Sequence, residues 1–210
     1  TVAKLLNKLR VWRDSVNART PSPPLLTSPK KLYAADHFSS GNASPRWFFN
    51  KDWSAQGGVL TGAAEGQDTT RLFLKDAEYS DVMIRFDFRL GESQDIRLVT
   101  GSGGYYNAVI HIRPDHFYIQ TALDRSGPYF PYRHGECAFN FVPERWYTMT
   151  VEFLGDQLVA HIDHDHLAFA QHPVLDKTRK YLAFQVDKHA AEFDNIQVLT
   201  ATKNERHADN

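Results

Sequence analysis

A single cysteine, Cys137, stands among 210 residues. It has no partner for an internal disulfide and no second thiolate for a cysteine zinc site, so both frameworks are excluded and a buried, inert thiol is the default reading. Excess charge is lacking as well: 24 Lys and Arg meet 25 Asp and Glu, a formal net charge of -1. Nucleic acid and anionic membrane surfaces therefore gain no general attraction and drop out as partners. No run approaches the roughly 18 apolar residues of a membrane span, and the opening TVAKLLNKLR lacks an export-signal core. Because the chain begins at Thr it reads as a processed or excised product, so the missing signal says little about where it works. Repeat periods, glycine-rich phosphate loops and Ser nucleophile elbows are missing too.

What is present divides the chain in three. Val2, Leu5, Leu6, Leu9, Trp12 and Val16 recur at helical spacing, which predicts an amphipathic helix, and the prolines of ARTPSPPLLTSPKK end it in an extended tether; together these form segment 1–32. The helix's apolar stripe must cover something, either the following domain or a docking partner or neighbouring domain. From about Tyr33 the period changes to two. Short aromatic and β-branched runs such as DVMIRFDFRL, YNAVIHIR, HFYIQTAL, WYTMTVEFL and KYLAFQV are separated by Gly, Asp, Pro or Ser clusters, the pattern of an all-β antiparallel sandwich over 33–202, followed by a polar tail at 203–210. In DVMIRFDFRL, Val82, Ile84, Phe86, Phe88 and Leu90 are expected to face the core and Met83, Arg85, Asp87 and Arg89 to face out. A hairpin is expected to turn at Gly155-Asp156. Trp47, Trp53 and Trp146 sit at strand edges, where core packing is the default.

The order of these pieces resembles a known family. DHFSSG, GGVLTG, RLFLKDAEYSDVMIRFDFRL, ERWYTMTVEFLGDQLVAHIDHDHLAFAQHP and the closing EFDNIQVLTA are similar, over roughly residues 35 to 200, to the 3-keto-disaccharide hydrolase domains (DUF1080). The resemblance implies a concanavalin A-like β sandwich, or jelly roll, with one convex and one concave sheet, a carbohydrate partner, and a periplasmic or extracellular setting. Two stretches depart from the family pattern: SQDIRLVTGSGG follows the long Arg-rich strand, and DHDH stands where Asn-Gly is usual. The N-terminal helix with LRVWRDSVNARTPSPP is also similar to the closing segment of bacterial sulfatases, which implies a sulfated polysaccharide.

Polar side chains on a concave sheet make a groove suited to sugars, whose C–H faces seek aromatic planes and whose hydroxyls seek forked donors. Arg97, Arg113, Tyr118 and Gln120 are the expected substrate contacts beside His111, and the loop holding Tyr129, Phe130, Tyr132, Arg133 and His134 is crowded with rings and cations where an ordinary connection carries small polar residues. The alternatives are a merely solvated sheet face and a loop packed down by its own aromatics. In a 3-keto sugar the ketone acidifies the C2 proton, so the chemistry implied by the family needs a base, an electrophile at the ketone and an acid for the leaving oxygen. His111 or His134 is the candidate base, Arg113 or Arg97 the electrophile, and Glu136 or Asp124 the acid. The acid spacings of related jelly-roll glucanases, Glu-x-Asp-x-x-Glu and Glu-x-Asp-x-Glu, do not occur, which argues against ordinary two-carboxylate hydrolysis. A non-catalytic carbohydrate-binding module, or docking through the helix, remains the alternative. A catalytic divalent metal or a structural calcium is the only cofactor in view. Related sandwiches bring the first and last strands together beside such a calcium, which singles out Asp36 and Asp194. His161 and Asp163 offer a metal-ligand pair, set against the plainer reading of Asp163 to His166 as a tight turn.

Overall fold

The computed structural model describes residues 24–39, 45–49, 51–64, 70–102, 105–121, 132–163, 165–187 and 189–205. The expected N-terminal helix, the first part of the Pro-rich tether, Asp124 and Tyr129 lie outside them. The strands, in chain order, are β1 (Thr27–Asp36), β2 (Trp47–Phe49), β3 (Trp53–Gln56), β4 (Val59–Gly62), β5 (Thr70–Leu74), β6 (Val82–Arg89), β7 (Asp95–Ser102) and β8 (Tyr105–Arg113). They continue with β9 (His116–Thr121), β10 (Tyr132–Ala138), β11 (Tyr147–Leu154), β12 (Gln157–His161), β13 (Leu167–Gln171), β14 (Tyr181–Asp187) and β15 (Ala191–Lys203). Among the described residues no helix is long and apolar enough to cross a membrane.

Two sheets result. One runs β13-β12-β11-β6-β15-β4-β3, with β1 joined to the far part of β15; the other runs β10-β9-β8-β7-β14-β5-β2. Every named pairing is antiparallel, as short strands with period-two patterning require. β1 begins at Thr27, inside the segment expected to be tether, because the backbone of Thr27 to Pro29 finds partners in Lys203, Thr202 and Ala201. The hairpin at Gly155-Asp156 joins β11 to β12, with Gly155 at φ +53, a left-handed conformation that glycine takes without steric cost.

The core is the apolar layer between the sheets. Ile84, Phe86, Phe88, Val151 and Phe153 from one side meet Ile96, Leu98, Ile110, Ile112, Phe117 and Phe184 from the other. The rings pack at angles to one another, with Phe86 and Phe184 at 4.9 Å and 76° and Phe184 and Phe193 at 5.4 Å. Trp47 and Trp53 are buried in this layer. At one border the outermost strands of the two sheets meet: a Cβ on Gly135 of β10 would stand 2.4 Å from the Phe169 carbonyl oxygen of β13, so only glycine permits that approach.

One sequence expectation is corrected here. Met83 and Asp87 were expected to face water, yet both are buried, as are Glu152 and His161 on the same outer face of the eight-stranded sheet. Asp87 accepts from Thr148 Oγ1 at 2.5 Å and Asn195 Nδ2 at 2.6 Å, and Glu152 is engaged by the chain leading into β1. The amides of Leu25, Leu26 and Thr27 and the Thr27 hydroxyl all donate to the Glu152 carboxylate, at 2.7 to 3.0 Å, and His161 Nε2 donates from 2.9 Å. Burial alone would raise the Glu152 carboxyl, but these donors outweigh it and hold it below the usual carboxylate range. His161 is thus committed to Glu152 rather than to a metal shared with Asp163. Asp163 instead accepts the amides of Asp165 and His166 and closes its own turn.

Replacing Glu152 with Ala leaves several buried donors without an acceptor, and the expected loss is about 3 kcal/mol or more, read by urea titration. Amide exchange at Leu25, Leu26 and Thr27 is expected to accelerate in the same variant. Unchanged protection there would show that Glu152 does not hold the entry into β1.

Candidate functional site

The seven-stranded sheet turns one set of side chains to the core and the other set away from it. Ile96, Leu98, Ile110, Ile112, Phe117 and Ile119 belong to the core, so by alternation Asp95, Arg97, His111, Arg113, Tyr118 and Gln120 share the opposite face. Register then lays them out. Arg71, Gln185, Arg97, His111, Tyr118 and Glu136 stand in one row across β5, β14, β7, β8, β9 and β10. Five of the residues expected at the site (Arg97, His111, Arg113, Tyr118 and Gln120) are therefore brought to one face, with Glu136 at its border.

Their organiser is Asp95, a residue that the strand pattern alone did not single out. Its buried carboxylate accepts from Arg97 Nε at 2.6 Å and from His111 Nδ1 at 3.1 Å, and Arg113 Nε lies 3.7 Å away. Arg97 also donates from Nη2 to Asp187 at 3.0 Å. Burial would raise the Asp95 carboxyl, but the hydrogen bond and charge of His111, followed by those of Arg97, prevail and hold it low. Because the carboxylate takes Nδ1, the other ring nitrogen of His111, Nε2, is left as the one a substrate proton could reach. The signal for Asp95 was available: in DIR an acid and a cation two residues apart share one strand face.

Tyr118 departs from its expected use. The His111 ring stacks on it at 4.5 Å and 6° from parallel, and the Arg133 guanidinium lies 3.9 Å from its centre. Since β8 and β10 flank β9, these neighbours cover the two faces of the ring, so Tyr118 is a spacer that orients cations rather than a plane for sugar stacking. Arg133 is fixed in turn by Glu136 at 2.6 Å. Gln120 stands half-buried between Val109 and Arg133 in the neighbouring row.

Two candidates lie elsewhere. His134 Nε2 is 2.8 Å from the Thr121 hydroxyl, and Thr121 points to the core side of β9; the His134 ring sits 5.8 Å from that of His172. It does not share the face of His111. Burial, then the His172 charge, lowers its pKa. Tyr132, largely exposed beside it, pairs with Thr121 at the sheet border. Cys137 is half-buried, and burial raises its thiol pKa, which suits an inert side chain.

Beside Asp95 and Arg113 opens a cavity of about 640 Å³, lined also by Gln94, Asp115, His116 and Asp187. That volume lies within the roughly 300–1,000 Å³ of small-molecule sites. The donor set does not fit a metal: among the described residues no three His, Cys, Asp or Glu side chains converge on a point, and Asp95 is already committed to cations. At Asp36 and Asp194, where a calcium was expected, no group of three His, Cys, Asp or Glu side chains forms among the described residues. Asp36 accepts the amide of Phe38 and Asp194 that of Asn195, and both recipients hold positive φ, so each carboxylate caps a strained turn or bulge.

A fold of two antiparallel sheets with this face matches one family model, the 3-keto-alpha-glucoside-1,2-lyase-like domain, over residues 37–199, and the chain belongs to that family. Solved structures share the architecture at low identity. The carbohydrate-binding module CBM66 from Bacillus subtilis superposes with a TM-score of 0.61 at 15% identity, covering 74% of this chain and 96% of that one. LamA of Zobellia galactanivorans, in complex with laminaritriose and laminaritetraose, gives 0.63 at 10% identity, covering 82% and 100%. The kappa-carrageenase of Pseudoalteromonas carrageenovora with a kappa-carrageenan oligotetrasaccharide gives 0.60 at 11%, covering 87% and 100%. No curated protein matches.

The low pKa of Asp95 makes a signed prediction. A carboxylate whose folded pKa is depressed adds stability above its unfolded pKa of about 3.9, and that contribution disappears as pH falls through the folded value. Asp95→Asn is therefore expected to cost about 3 kcal/mol at pH 7 and clearly less at pH 3, by urea unfolding at both. An equal deficit at the two pH values would mean that the negative charge is not what Asp95 contributes.

Proposed function

We propose that this domain binds a 3-keto glycoside against the outer face of the seven-stranded sheet and cleaves it by elimination, with His111 as the base. The observation that carries the reading is the buried Asp95 carboxylate, which holds His111 through Nδ1 and Arg97 through Nε and, with Arg113, lines an open cavity. His111 Nε2 takes the C2 proton. The C2–H electron pair passes into the enolate of the C3 ketone, whose developing charge faces the Arg113 guanidinium. The enolate then re-forms the ketone as C1=C2 closes and the C1–O bond breaks. The leaving oxygen takes the proton back from the His111 imidazolium, so proton and electrons balance without a second acid. Glu136, expected as that acid, is engaged by Arg133, and Arg97 by two carboxylates; both serve to position the cationic row. Family membership supports this chemistry, and a periplasmic or extracellular setting belongs to the same reading.

A second reading has its own observation. His111 is only 7% exposed, packed on Tyr118, and a carbohydrate-binding module without turnover has no need of an accessible base. The two readings part on one experiment: a 3-keto disaccharide and its unoxidised parent are each mixed with the protein, following both product and heat of binding. Elimination predicts turnover of the keto sugar alone, falling at least about 100-fold in His111→Ala and in Asp95→Asn, the size usual for loss of a general base or its orientation. Saturable binding of either sugar with no product supports the module. Full activity in His111→Ala would remove this face from consideration.

A further inference from the structure

The cavity beside Asp95 does not stop at the sheet. Gln94 and Pro114 line it and also a second cavity of about 460 Å³, and Glu92, Glu144 and His189 line both that one and a third of about 260 Å³. Arg89 and Glu192 close the far end. Shared walls make the three a single groove, which leaves the outer face of the seven-stranded sheet, crosses the end of the sandwich and reaches the border where β4, β6 and β15 pair. The first cavity alone has the volume of a small-molecule site, so the remainder is room for more of the same chain.

We propose that this groove takes the further units of an uncharged oligosaccharide, three or more sugars long, whose keto-bearing unit lies at His111. For the position of that unit the inference rests on the reading above, while the groove stands on its own geometry. Two features choose the occupant. The middle stretch has an apolar floor from Leu90, Phe141 and Pro143, suited to the C–H faces of pyranose rings, with exposed Glu92 and Glu144 at its rim to accept from hydroxyls. Among the described residues that line this stretch, the one guanidinium, Arg89, pairs with Glu192 and lies 3.7 Å from Glu144. A sulfate or uronate carried here would meet the carboxylates of Glu92, Glu144 and Glu192 beside an Arg89 already paired, so anionic glycans are disfavoured. This runs against the sulfated polysaccharide that the helix's likeness to sulfatases implies.

The test uses glucose oligomers of two, three and four units, oxidised to the ketone at C3 of the non-reducing terminal unit, and a sulfated form of the tetramer. Binding is measured by titration calorimetry on His111→Ala, so that no ligand is consumed, and turnover of the dimer is followed on the unmodified chain. The tetramer is expected to bind about ten-fold tighter than the dimer, and the sulfated tetramer no tighter than the dimer. Glu92 and Glu144 are both exposed, so a Glu92→Lys, Glu144→Lys double variant keeps the fold; carried in the His111→Ala background it is expected to invert the preference between the two tetramers. Affinity independent of length, or a sulfated tetramer bound as tightly as the plain one, overturns the proposal even if the dimer is turned over. Length-dependent neutral binding without any turnover sustains the groove and defeats the elimination mechanism alone.

Discussion

A carboxylate shut away from water must be matched by positive charge or lose its own. Asp95 meets that demand with Arg97 on its own strand and the His111 imidazole on the next, both hydrogen-bonded to it, while the Arg113 guanidinium lies 3.7 Å away. The imidazole is then pressed flat on Tyr118, whose other face takes Arg133. Two stacked rings, His111 and Tyr118, flanked by Arg97 and Arg133, gather around one buried charge. The organisation of this face depends on it more than on any residue that would itself touch a ligand.

The opposite sheet repeats the device for a structural end. Glu152 sits as deeply as any core residue and accepts the backbone amides of Leu25, Leu26 and Thr27. In both cases a polar group on a nominally outward position is covered and fully committed. A buried ion pair adds little net stability by itself, but removing one partner is costly, so such groups fix a particular arrangement rather than strengthen it. At Asp95 the arrangement belongs to the candidate site; at Glu152 it belongs to the register of β1 with β15.

The long groove depends on how the sandwich ends. The loops β6–β7 and β10–β11, the tight β8–β9 turn and the short connection into β15 all emerge at the same border, and their side chains form one trough because antiparallel order brings them together. Gly135 shapes the border on which β10 meets β13 by allowing the two sheets to touch backbone to backbone. Neither feature requires an unusual residue, only an unusual neighbour.

Much of this was legible in the chain. Period-two patterning gave the strands, the Gly155-Asp156 turn and the core face of β6, because side-chain alternation is a local property of extended backbone. It also placed Arg97, His111, Arg113, Tyr118 and Gln120 on matching positions of neighbouring strands. Alternation says which side a residue takes but not what covers that side, so Met83 and Asp87 were assigned to water, Tyr118 was taken for a platform, and His134 was grouped with His111. Those outcomes hang on register, on a bulge between Arg133 and Glu136, and on a chain segment some 125 residues away in sequence lying over Glu152. The sequence by itself determined an antiparallel sandwich with a polar, cation-rich strand face; only tertiary structure decided that Asp95 commands that face, because contacts between strands are set by pairing partners that no local pattern encodes.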